Sequence, residues 1–136
     1  MLTIKNILYP INLDSKNIKP VVKALELAKI LNSNIHILYV NDPGAGYRYP
    51  TDKEDEVALR VQEVAPVDLL NQLKVTYAIS KGSVGDEVVN YCKNNAVDLI
   101  NTGHKHHNKL YSRLFDTPDE NIIDAINLPV LVLPKN

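Results

Sequence analysis

The chain reads as an α/β protein: an open, doubly wound sheet of five parallel strands, with helices on both faces and the strand order 3-2-1-4-5. Three observations predict it. Five short apolar runs alternate with helical patterns, and that alternation implies parallel strands joined by right-handed crossovers. The run Ile35 to Val40, IHILYV, is apolar almost without interruption, as a strand covered on both faces must be. At 136 residues the chain suits one domain, 1–136, with a sizeable core.

Lys5 to Ile11, KNILYPI, is the first strand, rich in β-branched and aromatic residues. Pro10 cannot donate to a ladder, so pairing should fade near it. A polar turn follows, in which Asp14, Ser15 or Asn17 is the candidate helix cap. Val21, Val22, Leu25, Ala28 and Leu31 recur at helical spacing. Pro20 belongs in a first turn, which places the helix start near Asn17 or Ile18. Ile35 to Val40 is the second strand, and His36 within it is read as a satisfied core or edge histidine.

Asn41 to Asp52, NDPGAGYRYPTD, is dense in Pro and Gly and aperiodic, hence a long loop. A solvated loop is the favoured expectation; the alternative is that Tyr47, Arg48 and Tyr49 fold over a neighbouring site. Lys53 to Lys74 is helical in pattern with an acidic start that suits the positive end of a helix dipole. Pro66 inside it predicts a kink or break near Ala65. Val75 to Ser80 is the third strand. Ser83 with Asp86 resembles a capping box for the helix carrying Val88, Val89 and Cys92. Asp98 to Thr102 is the fourth strand, Thr117 to Asn127 the last helix, and Pro129 to Pro134 the fifth strand. That last strand is apolar on both faces and uncharged, so a self-associating edge is the natural expectation.

The bulk numbers exclude several classes. A formal net charge of -1 marks no general nucleic-acid binder. No apolar run approaches the roughly 18–20 residues that span a bilayer. The opening MLTIKNILYPIN lacks the apolar core of a signal peptide, so a cytoplasmic location is expected. Cys92 is the sole cysteine, which leaves no intrachain disulfide, and it is read as a small core residue.

Function is expected in the stretch from Gly103 to Thr117, GHKHHNKLYSRLFDT. Thr117 is the candidate N-cap of the last helix, Pro118 fits its first position, and Glu120 completes a capping box. A loop between a strand's carboxyl end and a helix's amino end is where open α/β sheets bind ligands. The loop also carries His104, His106 and His107 beside Lys105, Lys109 and Arg113. Histidine is a common metal ligand, but no Cys or HExxH spacing accompanies these three. Solvated loop histidines are therefore expected, and no metal site is assigned. No nucleophile and base stand at a recognisable spacing, since Ser83 and Ser112 read as a cap and a loop residue. An enzyme is not expected.

With these elements in order, the chain resembles the universal stress protein family along essentially its whole length. Ile7 to Asn12, ILYPIN, is similar to that family's ILVPVD; Leu38-Tyr39-Val40 is similar to its LHV; Pro129 to Leu133 is similar to its PVLVV ending. Gly82 and Asp98-Leu99-Ile100 also match. Nucleotide-binding members carry a glycine, two residues, a second glycine, nine residues, a third glycine, then serine or threonine. Here Gly103 and Thr117 keep the ends of that pattern, whereas His106 and Asp116 replace the second and third glycines. The resemblance thus implies a degenerate nucleotide site at Ile11, Asn12, Val40, Gly103, His106, Asp116 and Thr117. Asn12 stands where the family has an aspartate near the adenosine. The resemblance further implies a stress-response or signalling module with no tightly bound cofactor, acting as a homodimer through strand 129–134. Its alternative is a stress protein that binds ATP or AMP.

Overall fold

The computed structural model describes residues 3–15, 17–103 and 127–133. Their strands form one sheet: β1 (Asn6–Pro10), β2 (Asn34–Asn41), β3 (Val75–Lys81), β4 (Leu99–Thr102) and β5 (Val130–Val132). The order across it is β3-β2-β1-β4-β5, and every pairing is parallel. This is the expected architecture. The helices are α1 (Pro20–Leu31), α2 (Glu54–Val64), α3 (Val67–Asn71) and α4 (Val84–Asn94). The last helix expected from the sequence, 117–127, lies outside the described residues apart from Asn127, whose φ of 56° is left-handed.

Alternation along the strands divides the apolar side chains between two cores. Ile7, Tyr9, Ile11, Ile35, Ile37, Tyr39 and Leu99 pack on one face against Val21, Ala24, Leu25 and Ala28 of α1 and Val57 and Val61 of α2. Leu8, Leu38, Val40 and Ile100 pack on the other against Val84, Val88 and Cys92 of α4. Helices therefore cover both faces, and the inner strands read apolar throughout because each side chain has a covered side to enter. Burying each large aliphatic residue stabilises the fold by roughly 1.5–3 kcal/mol. Burial pushes the Cys92 thiol up to about 12, in keeping with a core role.

Local chemistry sets the ends of the elements. α1 begins at Pro20, two to three residues later than the spacing suggested. Asn17 Oδ1 accepts from Lys19 N at 3.0 Å and spends its capping capacity on a turn before the helix. Pro20, without an N–H to leave unpaired, then opens the helix. The break near Ala65 is present: α2 stops at Val64, Ala65 is extended with ψ 138°, and α3 starts after Pro66. At the amino end of the sheet, Asp98 Oδ2 accepts from Lys5 N at 2.9 Å and Asn6 N at 3.0 Å, tying β1 to the entry of β4. Half-buried His36 is satisfied as expected, with Nδ1 2.7 Å from the Tyr91 hydroxyl and Nε2 3.3 Å from Asn6 Oδ1.

The sheet has two borders. β5 forms one, with Leu131 and Val132 41% and 40% exposed. β3 forms the other, with exposed Lys74 and Lys81 at its ends. No helix among the described residues is long and apolar enough to cross a membrane.

Candidate functional site

The carboxyl ends of β1, β2 and β4 meet at one edge of the sheet, where the order reverses around β1. Such a switch point opens the crevice in which doubly wound sheets hold ligands. Ile11, Asn12, Val40 and Gly103 all stand at this edge, as the sequence implied. His106, Asp116 and Thr117 lie outside the described residues.

Ile11 is buried, and its N–H donates to Leu38 O at 2.9 Å, which extends the β1–β2 pairing past Pro10. The chain then turns sharply. Asn12 Oδ1 accepts from Asp14 N at 3.1 Å, and Asn12 O accepts from Ser15 N at 3.3 Å. This is an Asx turn, a local bond that asparagine and aspartate side chains make readily. It occupies the amide oxygen of the residue expected to face a nucleoside. Val40 is buried on the α4 side. Gly103 is buried beyond β4, and Leu133 N donates to Thr102 O at 2.7 Å, so β5 stays paired to the rim.

The loop after β2 is tied down rather than solvated throughout. Asp14 Oδ2 accepts from Arg48 N at 2.9 Å, and Asn41 Nδ2 donates to Asp52 Oδ1 at 2.7 Å. The Tyr47 ring lies against Tyr39 with centroids 5.6 Å apart and planes tilted by 34°. From α2, Arg60 Nη1 donates to Leu13 O at 3.3 Å. Tyr49, at the tip, remains exposed. The loop is largely exposed, as expected of a solvated loop, while the half-buried Tyr47 ring and the Arg48 backbone amide find partners on β2 and on the β1–α1 turn.

Tyr39 is buried, and its hydroxyl has no hydrogen-bond partner at bonding geometry. Burial raises its pKa; the nearby Thr51 backbone amide partly opposes this, and the Asp14 and Asp52 carboxylates add to the rise. Asn101, on β4, is 0% exposed, and both polar atoms of its side chain lack partners among the described residues.

The start of α4 departs from the capping-box expectation. Ser83 makes no side-chain cap bond. Instead the Asp42 carboxylate reaches across from the end of β2: Oδ2 accepts from Val84 N at 3.2 Å and Oδ1 from Gly44 N at 2.8 Å. Sequence reasoning missed Asp42, although Asp-Pro-Gly is a turn signal in which the aspartate bonds its own backbone. Gly82 precedes this helix with φ 146°, and a Cβ there would meet the Glu87 side chain at 3.1 Å. That accounts physically for a glycine at this position.

Comparison with known proteins agrees with this geometry. The family model described as the universal stress protein family matches residues 3–134. Among curated proteins there is no significant match. Solved structures share the fold. The universal stress protein UspA from Lactobacillus plantarum is 21% identical, covers 96% of this chain and 98% of its own, and superposes with a TM-score of 0.64. A universal stress protein in complex with cAMP is 14% identical over 96% of this chain and 97% of its own, with a TM-score of 0.59. The universal stress protein from Archaeoglobus fulgidus in complex with dAMP is 15% identical over 97% and 98%, with a TM-score of 0.58. With a family match along nearly its whole length and the sheet order to accompany it, the chain belongs to the universal stress protein family.

Proposed function

We propose that this chain is a stress-response or signalling module whose crevice does not bind ATP tightly and which acts through protein contacts rather than by catalysis. The observation that carries this reading is the replacement of two phosphate-loop glycines by His106 and Asp116 while the loop length is kept. Glycine lets backbone N–H groups approach a phosphate closely. A histidine adds bulk there, and a carboxylate adds charge. Two unit charges about 4 Å apart repel by about 4 kcal/mol at an effective dielectric of about 20. That exceeds the roughly 0.5–3 kcal/mol net that one hydrogen bond to phosphate contributes. The Asx turn that occupies Asn12 Oδ1 supports the same reading from the nucleoside side.

Calorimetric titration with ATP tests it. Wild type should show no micromolar binding, and a protein with both His106→Gly and Asp116→Gly should gain affinity by at least about tenfold. Micromolar binding of ATP by wild type, or nucleotide that co-purifies and absorbs at 260 nm, would sink the reading.

A second reading keeps a smaller ligand, AMP or an adenosine group. Two structural neighbours are complexes with cAMP and dAMP, and Ile11, Asn12, Val40 and Gly103 stand together at the crevice edge. In that case the base and ribose lie by Ile11, Asn12 and Val40, and Gly103 and Thr117 face the phosphate. Under either reading the module works in the cytoplasm as a homodimer joined along strand 129–134, where an apolar edge is exposed. His104, His106 and His107 are a weaker candidate for a metal site and lie outside the described residues.

A further inference from the structure

The crevice edge carries a device that neither proposed reading uses. The loop 43–53 leaves the end of β2 and passes beside the β1–α1 turn, whose Asn12 and Asp14 begin the nucleoside side of the crevice. Its contacts come from several directions: the Arg48 amide on Asp14 Oδ2 at 2.9 Å, Asp52 on the Asn41 amide at 2.7 Å, and the Tyr47 ring on Tyr39. Asp14 and Arg48 are 34 residues apart, so this is tertiary closure and not a local turn.

The bonds differ in strength and accessibility. Tyr47 lies against Tyr39 as a tilted aromatic pair. Asn41 and Asp52 bracket the base of the loop. The Arg48 amide on a carboxylate is charge-assisted, and it joins the tip itself to the crevice. Asp14 is exposed, so water or a ligand donor can compete for its oxygen. A sugar hydroxyl is such a donor. The β1–α1 turn need not change in the exchange, because Asn12 Oδ1 holds the Asp14 amide separately.

We propose that the 43–53 loop is a strap closing the β1–β2 side of the crevice when no ligand is present, with the Asp14 carboxylate as its latch and a nucleoside as the ligand that displaces it. This rests on the second reading, in which a nucleoside lies beside Ile11 and Asn12. The closed strap lowers apparent affinity by the fraction of molecules in which it is shut.

Amide hydrogen exchange at Arg48, followed by NMR, tests the latch, and titration with adenosine tests the gate. In Asp14→Ala the Arg48 amide should exchange about tenfold faster than in wild type. Asp14→Asn keeps an acceptor and should lie between the two. Tyr47→Ala, which removes the ring contact with Tyr39 and keeps the Asp14 carboxylate, should also speed exchange. Adenosine affinity should rise several-fold in Tyr47→Ala, which loosens the strap, and should fall in Asp14→Ala, which removes the acceptor that the sugar hydroxyl would take over. Unchanged exchange in Asp14→Ala overturns the latch. Faster exchange with adenosine affinity unchanged or weaker in Tyr47→Ala overturns the gate, as does an absence of adenosine binding by every variant at millimolar concentration. Failure of the ATP reading looks different: wild type would bind ATP at micromolar concentration while the ordering of adenosine affinities still held.

Discussion

Asp42 at the end of β2 caps α4, its Oδ2 accepting from Val84 N at 3.2 Å across 42 residues of sequence. The same carboxylate holds Gly44 N at 2.8 Å and is only 8% exposed. Two charge-assisted bonds at a buried group make it a structural joint between the crevice rim and the helix behind it. Asp42→Ala should lower unfolding free energy by about 2–4 kcal/mol, with both backbone donors losing their acceptor. Ser83→Ala should change it by less than about 0.5 kcal/mol, since that hydroxyl caps nothing. Urea denaturation of the two variants separates these outcomes. Equal losses would mean that the cap is shared.

His36 gives the fold a pH dependence of definite sign. Burial lowers its pKa from 6.5, and the Lys74 ammonium lowers it further. The unfolded chain therefore takes up the proton first. Stability from this site is complete above about pH 6.5, falls as the pH drops through that value, and levels off once the folded imidazole is also charged. The neutral ring suits its surroundings: the tautomer protonated at Nε2 donates to the Asn6 Oδ1 acceptor and leaves Nδ1 to accept from the Tyr91 hydroxyl. The denaturation midpoint of wild type should fall between pH 7.5 and pH 5 more than that of His36→Gln. Parallel pH profiles for the two proteins would refute this.

A buried polar side chain without a partner among the described residues predicts a stabilising substitution. Removing an unpaired buried polar group relieves its desolvation cost. Asn101→Val, which also suits a central strand, should raise unfolding free energy by about 1–2 kcal/mol. Thermal unfolding of the variant is the measurement, and a clear loss would reveal a partner for the deleted group.

Exposed Leu131 and Val132 on the border strand carry the dimer expectation. Val132→Lys should shift sedimentation from dimer to monomer at micromolar concentration while leaving far-ultraviolet circular dichroism unchanged. A monomeric wild type would refute the dimer, and a variant that stays dimeric would place the contact elsewhere.

Features repeated locally in the sequence were legible, whereas those made between distant segments were not. Ile35 to Val40 reads as a covered strand because each residue reports its own burial, and the sheet order follows from alternation. Pro66 broke its helix where a missing N–H must break one. By contrast, Ser83 and Asp86 satisfy a capping pattern, yet the cap comes from Asp42, which no local window contains. Asn17 looked like the start of α1, but its side chain closed a turn ahead of Pro20. Ile11, Asn12, Val40 and Gly103 stand at one edge of the sheet because each lies at or just past the end of a strand. Asp14 reads as a candidate helix cap, yet it holds the Arg48 amide, a distant backbone partner that side-chain identity does not advertise.

The unlike borders of the sheet bear on how far any assembly can grow. β5 offers uncharged aliphatic residues, whereas β3 is bracketed by the ammonium groups of Lys74 and Lys81. In a dimer joined at β5, as proposed above, one two-fold partner would satisfy that border and leave the lysine-flanked margins outermost. Fibrous propagation, the usual hazard of a bare strand, would then end after one round.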